Sequence, residues 1–137
     1  MPTIVDTAPL SKPALWTGRA LSGLVVVFLL FDGAIKLVPW PVVTETMDRM
    51  GYGSSEMLAR SLGLITIVCT VLYSIPPTSI LGAILLTGYL GGAIASHLRI
   101  DSPLFSHVLF GFYLGLMVWG GLWLRDRSLR TLIPFQR

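Results

Sequence analysis

Charged side chains vanish from two long stretches of this chain. None lies between Ser61 and Leu98, and none between Ser102 and Leu124. A membrane-crossing helix needs about 20 predominantly apolar residues. The first stretch therefore holds two crossings, divided at Pro76-Pro77, and the second holds one more. Upstream, the apolar run 20–31 follows Lys12 and Arg19, is interrupted by Asp32, Gly33 and Lys36, and resumes to Val38. A positive flank before a short apolar run also describes a secretory leader, but no small-residue cleavage pattern follows. An uncleaved first crossing is expected. The spans expected from the pattern are about 17–38, 56–75, 79–98 and 103–124.

The segments between the spans carry their own periodicity. Pro39-Trp40-Pro41 ends the first span. Val43, Met47 and Met50 then recur at i, i+4 and i+7, with Thr44, Glu45, Asp48 and Arg49 on other faces. That predicts a short amphipathic helix over 42–50, lying on the membrane or capping the bundle. Gly51-Tyr52-Gly53 turns the chain, and Ser54 or Ser55 caps the second span. So short a break as Pro76-Pro77 forces spans two and three into an antiparallel hairpin. Pro103 suits the first turn of span four, with Asp101 or Ser102 as its cap. Gly88, Gly92 and Ser96 recur at four-residue intervals, as do His107, Gly111 and Gly115. Both rows predict small-residue faces on which helices pack closely, with His107 in the same seam as Gly111. Residues 1–16, holding Pro2, Pro9 and Pro13 without periodicity, predict a loose tail, and 125–137 a basic one along the lipid headgroups. The fold class is all-α: a polytopic four-helix membrane bundle with one amphipathic helix between spans one and two.

Composition agrees with that pattern. The chain is 53% hydrophobic and 12% charged, where a soluble domain carries roughly 25% charge. Too few polar residues remain to build a water-facing shell around four such helices. A net charge of +3 could suggest nucleic acid, but the basic residues are scattered or flank apolar spans, so no nucleic-acid partner is expected. Four spans put both termini on one side, with six Lys and Arg against two Asp there, and four against five acidic residues on the other. The positive-inside rule then places both termini in the cytoplasm, in a cell inner (plasma) membrane. Cys69 stands alone, which excludes an internal disulfide and argues against dithiol chemistry.

The chemistry-bearing residues gather at one end of the predicted bundle. Asp32 and Lys36 lie four apart, acid first, the favourable order for an ion pair on one helix face. Ionisable groups inside a membrane are costly and are functional candidates. Arg60, His97, Arg99 and His107 fall at the same depth, in the non-cytoplasmic third. Interfacial placement alone accounts for Arg60, His97 and Arg99, whereas Asp32 and His107 lie further in. The expectation is a small-molecule pocket formed by Asp32, Lys36 and His107, with Arg60, His97 and Arg99 at its mouth. No metal site is expected, and two histidines from adjacent span ends, with no second pair, do not suggest a haem.

A family resemblance rests on longer runs. Gly88-Tyr-Leu-Gly-Gly-Ala-Ile-Ala-Ser-His-Leu-Arg, Pro103-Leu-Phe-Ser-His107 and Trp119-Gly-Gly-Leu-Trp-Leu-Arg-Asp resemble the DoxX-like family of small membrane proteins. Ser22-Gly-Leu, Phe31-Asp-Gly-Ala-Ile-Lys-Leu and Gly63-Leu-Ile look like its earlier segments, so the resemblance covers about residues 17–130. It implies a four-helix membrane bundle. The family's name-giving member is the small membrane subunit of an archaeal thiosulfate:quinone oxidoreductase, which works with a second subunit. The resemblance implies no catalytic motif, and leaves open whether this chain is an enzyme.

Two functions follow as expectations. The first is a membrane subunit of a redox system, binding a quinone or similar lipid-soluble molecule where histidine can exchange protons near neutral pH. The sequence carries no flavin, iron–sulfur or c-type haem motif, so in this reading electrons come from a redox partner subunit. The second is a non-catalytic membrane anchor or assembly factor, meeting its partner through segment 42–50 or the basic tail. A transporter fits less well, since four spans without an internal repeat offer little scaffold for alternating access.

Overall fold

The computed structural model describes residues 11–38 and 40–132. The first helix, α1, spans Lys12–Leu37. It starts earlier than expected because the Ser11 hydroxyl accepts from the Ala14 N–H, and Pro13 is tolerated in a first turn, where backbone N–H groups lack helical partners. Residues 12–16 are thus helix, not tail, while 1–10, 133–137 and Pro39 lie outside the described residues. The amphipathic helix is α2, Pro41–Arg49, which buries Val43 and Met47 against Ala59, Leu58 and Leu62. Gly51 and Gly53 follow with φ of +84° and +73°, the region open to glycine at little cost.

The second crossing is α3, Glu56–Ser74, capped by Ser55. A 3₁₀ turn at Pro76–Thr78 leads directly into α4, Ser79–Arg99. The Ser79 hydroxyl donates to the Tyr73 carbonyl at 2.8 Å and Thr78 to that of Leu72 at 2.7 Å. These bonds satisfy carbonyls that a helix end leaves without partners. A π-helical turn, Leu104–Val108, opens α5, Leu109–Arg125, and α6 is a short helix at Arg127–Leu132. Four of these segments are long and apolar enough to cross a membrane.

The crossings form a square. α1 and α4 each pack on both α3 and α5, so α1 and α4 face each other across a diagonal. Val25, Leu29, Tyr73, Leu86, Val118 and Leu122 fill the middle with at most 1% exposure. Val27 and Phe105, at 69% and 75% exposure, point outward with many other large apolar residues. An apolar exterior around a satisfied helical backbone is what lipid requires.

Glycines set where the helices touch. A Cβ on Gly63 would sit 2.7 Å from the Gly33 carbonyl oxygen, and one on Gly18 would sit 2.8 Å from that of Gly121. These pairs close α1 onto α3 and onto α5. Gly111 packs as expected, its Cβ position lying 2.9 Å from the Ile94 side chain and 3.2 Å from the Leu90 carbonyl. The row Gly88, Gly92 does not pack: a Cβ at either meets nothing within 4 Å, and the same holds for Gly115.

The end of the bundle that carries the α3–α4 turn, here the terminal end, has a polar interior although the sequence gathered its candidate residues at the other end. There Arg125 Nε donates to Ser22 Oγ at 3.0 Å, Ser22 lies 2.9 Å from the Tyr73 hydroxyl, and Tyr73 donates to the Val118 carbonyl at 2.7 Å. With the Ser22 hydrogen directed at Tyr73, each donor in this chain has an acceptor, which lets the group be buried without penalty.

Candidate functional site

At the opposite end, beside α2, the bundle is hollow. A cavity of about 520 Å³ opens between α1, α2, α3 and α4. The ion pair read from the sequence lies in its wall. Lys36 Nζ is 2.5 Å from Asp32 Oδ2, and the two side chains keep 19% and 26% exposure. The same ammonium donates to the Tyr89 hydroxyl at 2.7 Å, crossing the diagonal from α1 to α4. Both partners of a half-buried cation are thereby oxygen atoms at hydrogen-bond distance, which offsets its desolvation.

His97 also lines the cavity, with Nδ1 3.1 Å from the Ser102 hydroxyl. The other three candidates do not. His107 is exposed, its Nδ1 2.7 Å from Ser106 Oγ, and its ring meets the His97 ring edge-on at 5.6 Å between centroids. It stands behind His97, where the sequence had placed it with Asp32 and Lys36. The buried face of this segment runs through Val108, Gly111, Leu114 and Val118, so the inward neighbour of Gly111 is Val108, three residues back, and His107 falls on the flank. The turn before it is π-helical, with both the His107 and Val108 N–H groups bonded to the Pro103 carbonyl. Arg60 is exposed and pairs with Glu56 at 3.6 Å, one turn back on the same helix. Arg99 lays its guanidinium against the Gly51 turn, outside the cavity lining.

The residues that sequence reading missed belong to α2, its following loop and α4. Val42, Thr46, Met47 and Met50 form the roof. Tyr89 was legible in principle, because it stands three, four and seven residues before Gly92, Ala93 and Ser96, hence on one helix face with them. That face lines the cavity with small residues where helix packing had been expected. Ser96 donates to the Gly92 carbonyl at 2.8 Å and meets the Tyr52 hydroxyl at 2.7 Å. Tyr52 and Ser96 thus bridge the outer rim.

The wall is mostly apolar, with hydrogen-bonding groups at two levels. Deep in the cavity, the Tyr89 oxygen accepts from Lys36, and no acceptor among the described residues takes its hydrogen. Nearer the rim stand Ser96, Tyr52 and His97. No group of three or more His, Cys, Asp or Glu side chains among the described residues could hold a metal ion.

Four membrane-length helices in a square, with an Asp–Lys pair near one end, define a small multi-pass membrane protein. A model of the DoxX-like family matches residues 20–121, and the chain belongs to that family. Neither the curated proteins nor the solved structures include a match.

Proposed function

We propose that the cavity binds a neutral, lipid-soluble molecule carrying a hydrogen-bond-accepting oxygen, of the quinone kind, and that the protein is the membrane subunit of a redox system. The observation that carries this reading is Lys36 held between Asp32 and Tyr89 at the deep end of an apolar cavity. Asp32 already neutralises Lys36, so an anionic ligand would add an uncompensated charge, whereas a carbonyl oxygen adds none. The Tyr89 hydroxyl and the third Lys36 N–H supply donors to such an oxygen. Apolar walls with a few placed polar groups are the usual form of a small-molecule site. His97 supplies a group able to exchange a proton with the ligand near neutral pH, and a partner subunit's electron carrier completes the redox couple.

Purified in mild detergent, the parent protein is expected to carry a quinone identifiable by mass spectrometry of its lipid extract, with an oxidised-minus-reduced difference spectrum. Tyr89→Phe and the charge-free double variant Asp32→Asn, Lys36→Met are expected to lose most of it while keeping the parent's melting behaviour within a few degrees. A parent that carries no quinone and takes none up, yet purifies with a partner protein held equally by both variants, would favour a non-catalytic anchor or assembly factor.

A further inference from the structure

We infer that the cavity takes its ligand sideways from the bilayer, and that the ligand is a tailed molecule whose hydrocarbon chain lies along the Gly88–Gly92 face of α4. This rests on the reading of the cavity as a binding site and adds what class of molecule fills it.

The water-facing side of the cavity is strapped. Tyr52 reaches from the α2–α3 loop to Ser96 at 2.7 Å, and the Arg99 guanidinium lies against Gly51 in the same loop. The side facing lipid is open. α2 leans on α3, and Gly88 and Gly92, both cavity-lining, are exposed, with nothing within 4 Å of a Cβ at either. Gly92 stands seven residues before Arg99 and Gly88 eleven, so about 10 Å and 16 Å from that helix end at ~1.5 Å per residue. Set against a hydrocarbon core of about 30 Å, Gly88 reaches the middle of the bilayer. A slot that starts at the polar pair and runs to mid-membrane is shaped for a polar head followed by an acyl or prenyl tail. A compact, tailless molecule leaves its lower half empty.

The test uses the full chain in lipid nanodiscs and two probes with the same dimethoxy-methyl-benzoquinone ring, one tailless and one bearing a decyl chain. Partitioning concentrates the tailed probe in the lipid for every variant alike, so the readout for each probe is the affinity relative to the parent. Gly88→Leu fills the slot without touching the polar pair, and leucine favours helix over glycine. It is expected to weaken the tailed probe at least tenfold and the tailless one less than twofold. Gly91→Leu, on a neighbouring open face outside the lining, is the control and should change neither. If Gly88→Leu spares both probes, the tail lies elsewhere; if it weakens both equally, Gly88 serves the head. Either result overturns this inference and leaves the binding site standing. Failure of the parent to bind either probe overturns the site itself, and this inference with it.

Discussion

Lys36 has two oxygen partners of different chemistry, a carboxylate on its own helix and a phenol from across the bundle. Its stability therefore depends on Asp32 more than on Tyr89, because only Asp32 cancels charge. Asp32→Asn is expected to destabilise the protein in detergent by about 2 kcal/mol, below the ~3–5 kcal/mol of a fully buried pair, since the Lys36 side chain keeps 19% exposure. The double variant Asp32→Asn, Lys36→Met removes both charges and is expected to recover most of that loss in a thermal melt. A double variant no more stable than Asp32→Asn alone would mean the pair is not coupled. The pair itself could be read from a four-residue spacing. The face of α4 that carries Tyr89 was legible in the same way, but its bond to Lys36 was not, because it joins residues 53 apart and needs the bundle's diagonal to exist first.

Individual elements were legible where charge was absent or apolar residues recurred. The four spans and α2 follow from those two signals, and their ends were set by capping serines and prolines. What local pattern could not supply was which small-residue row would meet another helix. Gly92 and Gly111 look alike in sequence, yet the first faces the cavity and the second abuts the α4 backbone. Gly111→Leu is thus expected to lower the melting temperature by several degrees, as overpacking costs about 1–3 kcal/mol. Gly92→Leu is expected to leave melting near the parent value, and differential scanning of both variants in one detergent separates the two cases. The π turn was equally invisible, since nothing in Leu104–Val108 forbids an ordinary helix. The position of His107 was missed for another reason: Val108, three residues before Gly111, takes the buried face, and His107 falls beside it.

For the whole molecule, the expected orientation puts the hollow end outside the cytoplasm, six basic residues against four. A reporter active only in the cytoplasm should be active when fused after Arg137 and silent when placed near Tyr52; the reverse would turn the cavity toward the cytoplasm. The two ends also differ mechanically. The chain of bonds from Arg125 through Ser22 and Tyr73 to the Val118 carbonyl ties α5, α1 and α3 together. Such a bundle behaves like tongs gripped at the handle: the jaws at the α2 end can part to exchange a ligand while the grip stays shut. Amide exchange in nanodiscs should then be graded along single helices, faster for 88–97 than for 80–87 within α4. Ser22→Ala, by loosening the grip, should flatten that gradient without touching any residue of the cavity.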